Sequence, residues 1–350
     1  MSDQALAFND IGDVEVSISS ARVTVAGWTG LQVIRAIDSC ADGFAFSFPW
    51  EATDTNRQRF VAFRTSVIEM RHKGERFLRG RMEKLSFDFS STSRMATMEG
   101  RGDTGVLLDL SAPPIELSSS FNTIARQICP SATVVRAVPD IMDLNVQIEI
   151  GQTPFEVLST IAAGYGYWPQ PQTDGSLTFS KISPRSPSVA TIREGEAPVI
   201  DIQTSHDLTR RFHRYTAIST EDGDDSVAEA IDEGVDPRFR DGMIIQSQRG
   251  GNVSEAAAFA RSRGIMDAYT CRVTVAGWTH HGRLWAPADI VTVFAPSVMI
   301  YREYNLIVNR VTMQLDENGG AVTELDLTFP QLFSGGDPGF PYPWSIEGDA

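Results

Sequence analysis

Cysteine is scarce in this 350-residue chain. The three that occur, Cys40, Cys129 and Cys271, are odd in number, far apart and without CxxC spacing. That excludes a disulfide framework and a thiolate zinc site, and it fits folding in a reducing cytoplasm. Long apolar runs are missing too: no stretch approaches the ~20 residues that span a bilayer. The N-terminal MSDQALAFNDIG has neither a basic n-region nor an apolar h-region, so neither a membrane anchor nor a signal peptide is expected. Positive charge is in deficit, with 30 Lys and Arg against 45 Asp and Glu, a net charge of −15. Binders of duplex DNA or of anionic membranes are normally basic, because neutralised phosphates supply most of that affinity; no specific nucleic-acid binding is expected. A Walker motif, a GxGxxG after a strand, a GxSxG frame and a calcium-loop pattern are all absent.

What is present reads as a globular protein. Hydrophobic residues make up 42%, charged residues 21%, and the length allows two or three domains with their own cores. Alternation at Val14, Val16 and Ile18, then Val23 and Val25, Leu31 and Val33, Phe44 and Phe46, and Leu85, Phe87 and Phe89 predicts short strands. SAPPIELSSS (111–120) is a junction. After it Phe121, Ile124, Ala125 and Ile128 follow helical spacing. GQTPFEVLSTIAAGYGYW predicts a second helix, with Thr153 as N-cap, Pro154 at N1, Glu156 completing a capping box and Gly164 as the stop. Phe155, Leu158, Ile161 and Ala162 are its expected buried stripe, and Asp174-Gly175 a turn into a strand. Strand character returns beyond Pro198. It is interrupted by Glu221–Asp241, nine acidic residues against two arginines read as a solvated mobile loop, and by a helix with Ser254 as N-cap. From Tyr269 it resumes to Phe329, with Asp316–Gly320 as a hairpin turn.

The octamer RVTVAGWT occurs at 22–29 and again at 272–279. Aligning the longer hairpin segments that begin at Leu78 and Ile307 needs an offset near 229, not 250. The octamer is therefore read as one strand-to-turn solution used twice, each Gly-Trp packing an indole, within two β regions of similar build.

The candidates for chemistry are few. His280-His281 could form a metal corner, but strand neighbours point to opposite faces. His206-Asp207 and His213 lack an accompanying nucleophile frame. Gly164–Trp168 could stack a sugar or a base, although such aromatics more often cover a core. Asn56–Lys84 holds nine Lys and Arg against three Glu and reads first as a solvated strand face, then as a surface for an acidic protein partner or for passing nucleic acid. No catalytic, cofactor-binding or metal-ligating residue is assigned, no cofactor is expected, and the chain is not read as an enzyme.

The order of structural phrases resembles a known family. VIRAIDSCADGFAFSF, the GQTPFEVLSTIAAGYGYWPQPQTDGSLTFSK module, RVTVAGWTHHGRLWAPADIVTV and GGAVTELDLTFPQLF are together similar to the baseplate hub proteins of contractile phage tails, the Mu-type tail protein P group, related in fold to the hub part of VgrG. The likeness spans about 12–332. It implies a mainly β, overall α+β fold with two tube-like antiparallel β-barrel domains. These would be a first at 11–112, a second at 191–222 and 269–332, an inserted α/β module at 113–190, an acidic-loop-plus-helix insertion at 223–268 and an extended arm at 333–350. It further implies a homotrimeric ring that adapts a sixfold tail tube to a separate trimeric spike around the ejection conduit, with other baseplate proteins as partners, in a virion tail assembled from protein made in the host cytoplasm. The alternative is a β-rich carbohydrate-binding or cell-wall-acting tail component, with Trp168, Trp278 or Trp285 stacking sugar.

Overall fold

The computed structural model describes residues 14–18, 23–25, 29–51, 53, 67–221, 224–246, 252–316, 320–336, 338 and 343–344. The chain is mainly β, as its alternation predicts. The N-terminal strands are β1 (Val14–Ile18), β2 (Val23–Val25), β3 (Gly30–Ala36), β4 (Gly43–Pro49), β5 (Val67–His72), β6 (Glu75–Phe89) and β7 (Arg94–Gly102). Next come β8 (Glu116–Ser119), helix α1 (Phe121–Ile128), β9 (Val135–Val138), β10 (Leu144–Gln147), helix α2 (Pro154–Ala163), β11 (Trp168–Pro171) and β12 (Leu177–Ser180). β13 (Ser188–Arg193) and β14 (Val199–His206) precede β15 (Arg214–Glu221), β16 (Asp224–Ile231), β17 (Gly242–Gln246) and helix α3 (Val253–Ala268). The chain then adds β18 (Tyr269–Ala276), β19 (Thr279–His280), β20 (Arg283–Leu284), β21 (Ile290–Ala295), β22 (Ile300–Asp316) and β23 (Gly320–Thr328).

One 13-stranded sheet runs β14-β18-β23-β22-β3-β4-β7-β6-β5-β1-β2, with β21 also on β22 and β13 on β21. Within it the same ladder occurs twice. Phe44↔Gly100, Phe46↔Met98 and Phe48↔Ala96 between β4 and β7 become Cys271↔Leu327, Val273↔Leu325 and Val275↔Thr323 between β18 and β23, each partner moved by 227 positions. Leu85↔Met98 and Phe89↔Arg94 in the β6–β7 hairpin become Val311↔Leu325 and Leu315↔Ala321. Both long strands carry a bulge at the matching place, Glu83 and Asn309. β3 corresponds to β14, since Leu31↔Phe46 becomes Ile202↔Val273. The hairpin offset is thus 226–227, a correction to the 229 suggested by letter matching, because the two bulges and not the side chains fix the phase. The second octamer lies on β18, whose counterpart is β4. The first lies on β2 at the far end of the sheet, its Gly27-Trp28 outside the described residues. The octamer does not mark equivalent positions.

The module between the repeats has its own core. The stripe Phe121, Ile124, Ala125 and Ile128 of α1 is buried, and it meets Leu158, Ile161, Leu177 and Phe179 from α2 and the β11-β12-β9 sheet. The capping box forms as expected: the Glu156 N–H donates to Thr153 Oγ1 at 3.2 Å and the Thr153 N–H to Glu156 Oε2 at 2.8 Å. Val157, Leu158, Ile161 and Ala162 form the buried stripe, with Phe155 only half-buried. Gly164 keeps a right-handed conformation, φ −61°; the positive φ falls on Gly166 instead, at 71°.

The insertion departs from its sequence reading. Asp224–Ile231 is strand β16, paired along its length with β15, and β17 adds on the other side. The acidic stretch is therefore largely strand and ordered turn. β15 belongs to this three-stranded sheet and not to the large one, so the departure from the large sheet begins after His206. α3 packs on β15 and β16. Its N-cap is Asn252, whose side chain accepts from the N–H groups of Ser254 and Glu255, rather than Ser254. Of the 333–350 arm, only 333–336, 338 and 343–344 are described; Trp344 lies 5.3 Å from the Tyr269 ring.

Candidate functional site

The feature that organises the molecule is the junction of the two repeats. The second half of β22 leaves β21 and pairs antiparallel with β3, from Arg310↔Ala36 to Asp316↔Gly30. Met313 and Val33 are completely buried there, and Leu315 and Leu31 nearly so. The Ile37 N–H donates to the carbonyl of the bulged Asn309 at 2.9 Å. Trp278 lies beneath, fully buried. Its Nε1–H donates to the Gln314 carbonyl at 2.9 Å, and its ring meets Phe77 edge-on at 5.9 Å. Gly277, at φ 81°, makes the turn that drives the indole inward, so the strand-to-turn reading holds for the second octamer. At the end of β3, Arg35 Nε donates to Asp42 Oδ2 at 3.1 Å. Burial pushes the Asp42 carboxyl up to about 6, against the opposing pull of Arg35. Nothing in the residue spacing signals this pair, which the β3–β4 turn brings together.

The chemical candidates do not converge. The His280 ring lies 4.3 Å from that of Trp285, and its Nε2 is 3.6 Å from Asp289 Oδ2. Asp289 is also ion-paired with Arg283 and accepts from the Ala286 N–H at 3.0 Å. Burial, with Arg283 and His281 adding to it, pushes His280 below the usual imidazole range. This is a polar knot of the enclosed His280 and Asp289 side chains with the exposed Arg283, tying the β19–β20 hairpin to the start of β21. No group of three or more His, Cys, Asp or Glu side chains suited to a metal occurs among the described residues. His206 packs on Tyr269 and Trp344, while Asp207 accepts from the Thr209 N–H and His213 Nδ1 meets the carbonyls of Asp232 and Val235. These groups do not form a catalytic constellation.

The three tryptophans proposed to stack sugar are buried: Trp278 and Trp285 almost wholly, Trp168 to 9% exposure with its Nε1–H on the Phe333 carbonyl at 2.8 Å. None presents a ring face to solvent. Of the basic stretch, 56–66 lies outside the described residues. In the remainder Arg71 and Arg76 pair with Glu69, Arg79 and Arg81 with Asp103, and Lys84 with Glu99. Five cations thus share three carboxylates, and the strand face is neutralised in part by its neighbours. No helix among the described residues is long and apolar enough to cross a membrane.

The arrangement, two register-matched ladders joined edge to edge with an α/β module between them, is similar in fold to solved phage-tail and VgrG proteins. The chain shares it with the tail protein from Neisseria meningitidis MC58, at a TM-score of 0.78 and 20% identity, covering 92% of this chain and 98% of that one. It also shares it with the E. coli c3393 protein, a component of the type VI secretion system similar in structure to the T4 tail proteins gp27 and gp5. There the TM-score is 0.58 at 10% identity, covering 89% of this chain and 76% of that one. In sequence, residues 251–335 match the fourth domain of the Mu phage baseplate assembly protein GpP. Over 326 residues the chain is 23% identical to baseplate hub protein gp44 of Escherichia phage Mu, spanning 86% of this chain and 84% of that protein. The resemblance to the Mu-type hub group, read from the order of the sequence phrases, is shown.

Proposed function

We propose that this protein is the baseplate hub of a contractile phage tail or a related injection particle. In this reading it acts structurally and not as an enzyme. Three copies form a ring that adapts a sixfold tail tube to a separate trimeric spike and surrounds the conduit. The single observation that carries this reading is the duplicated ladder: one chain holds two register-matched units, so three chains supply six similar units while keeping threefold symmetry. The tube-like domains are the two ladders, with the α/β module and the 207–268 insertion as attachments outside them. Tube protein, spike and other baseplate proteins are its partners, and the virion tail its location. The carbohydrate-binding alternative has no support from a tryptophan surface.

The test is the mass of the purified protein across a concentration series, with electron microscopy of the same sample. A species of three 38.4 kDa chains with an open centre is expected. A monomer that stays monomeric at all concentrations and with the spike protein added would overturn the reading, and a trimer without a channel would remove the conduit.

A further inference from the structure

One segment of the chain lies on the molecule as a bound peptide lies on its receptor. The wall behind it is built by the second ladder. His206 closes β14 directly opposite Tyr269, the first residue of β18, and their rings meet edge-on at 5.1 Å. Tyr269 stacks on Phe329 at 4.7 Å, and Phe329 meets Tyr304 of β22 edge-on at 5.7 Å. These rings support one another and line a bay. Trp344 fills it, with its centroid 4.7 Å from His206, 5.3 Å from Tyr269 and 6.0 Å from Phe329. Unlike Trp278 and Trp285, Trp344 is only half-buried.

Trp344 arrives from outside the ladder. The match to the Mu baseplate domain ends at 335. There the chain turns, with the Gly336 N–H donating to the Gln331 carbonyl at 3.0 Å, and GDPGFPYPW (336–344) follows. The Tyr304 hydroxyl donates to the Pro338 carbonyl at 3.3 Å and the Tyr301 N–H to the Pro343 carbonyl at 3.0 Å. In both bonds the segment accepts. Proline-rich peptides bind in this way: they have few N–H groups to give, their φ angles are fixed in advance, and they present carbonyls and rings to donors and aromatic walls. The bay also carries a donor in reserve. The Tyr269 hydroxyl is buried and has no hydrogen-bond partner among the described residues.

We propose that this bay is a peptide-binding site for a proline-rich segment that ends in tryptophan, and that residues 338–344 fill it in the single chain as an exchangeable plug. The ligand is defined by its chemistry: carbonyls at prolines for the two donors on β22, and an indole for the space between His206, Tyr269 and Phe329. The tether presents the plug to the bay at about millimolar concentration, so a separate peptide of the same kind enters freely only once the plug is weakened. This inference does not depend on the ring reading.

The test uses the full chain as Trp344→Ala and a fluorescein-labelled peptide of residues 336–346, GDPGFPYPWSI, followed by fluorescence anisotropy. The variant should bind the peptide, the parent at least about tenfold more weakly, and the Trp344→Ala form of the peptide should bind neither. Equal binding to variant and parent, equal binding of the two peptides, or no binding to the variant overturns the proposal. Loss of folding in Trp344→Ala, read from a thermal melt, overturns it too, since the segment would then be core and not a plug. Hydrogen exchange gives a second reading. The Tyr301 amide should exchange at least about tenfold faster in Trp344→Ala and return to the parental rate at saturating peptide. His206→Ala removes an exposed wall of the bay and should speed the same amide while the β22–β23 amides stay protected. An unchanged Tyr301 rate in both variants would mean that the bay does not hold the segment, and the proposal falls.

Discussion

Arg35 and Asp42 face each other across the β3–β4 turn at 3.1 Å, both nearly closed off from solvent. Burial outweighs the arginine, and the Asp42 carboxyl titrates near 6 in the folded chain against about 3.9 when unfolded. Between those values the folded state holds a proton that the unfolded state releases. Its contribution to stability is therefore full in acid and is lost as pH rises through about 6. The stability of the parent relative to Asp42→Asn should fall by on the order of 2–3 kcal/mol from pH 4 to pH 7. Denaturant melts of both proteins across that range measure it, and a flat difference would show that the carboxyl ionises normally.

Trp278 is, with Trp285, among the largest fully buried side chains of the described residues, and it touches both repeats, through Gln314 on β22 and Phe77 on β6. Trp278→Ala should cost about 3–5 kcal/mol, measured as a drop in the denaturation midpoint. Trp278→Phe should recover part of this but not the bond to the Gln314 carbonyl. Equal loss in both variants would assign the whole effect to that bond.

Gly100 on β7 admits no side chain. A Cβ there would lie 2.1 Å from the Arg81 carbonyl oxygen and 2.5 Å from Phe44 Cζ. Gly100→Ala should lose at least about 2 kcal/mol, since the nearer obstacle is backbone that moves only with its strand. Gly43→Ala, with open space around it, is the comparison, and a similar loss in both would contradict the packing argument.

Arg211 and Asp232 close the insertion. Their side chains are 12% and 4% exposed, and Nη2 donates to Oδ1 at 2.8 Å beside a second, shorter bond from Nε. Asp232→Ala leaves a buried guanidinium without that carboxylate, at a cost of about 3–5 kcal/mol. Hydrogen exchange should speed up in β15, β16 and β17 while the β22–β23 amides stay protected. Loss of protection in both sheets would mean that the insertion and the large sheet unfold together.

Much of this was legible in the sequence where the determinants are local. The α1 stripe, the Thr153–Glu156 capping box and the Asp174-Gly175 turn are set by residues within one or two helical turns of each other. Determinants that act across the sheet were not. The bulges at Glu83 and Asn309 are backbone events without a residue signature, so the repeat offset came out slightly wrong. DDSVAEAI looks like a solvated loop because its strand character comes from β15 and β17 on either side, not from a strong apolar alternation. Leu85, Phe87 and Phe89 read as one apolar face of a strand, since alternation shows which residues are apolar but not whether a neighbour covers them. His280, a metal candidate by its doublet, is held by Asp289 and Trp285, neither of which is adjacent to it in sequence.

The internal β22–β3 joint also has a concentration of its own. Two such units on separate chains would have to meet in solution, and dilution would part them. Here the connecting chain keeps the two halves at an effective concentration that no dilution can lower.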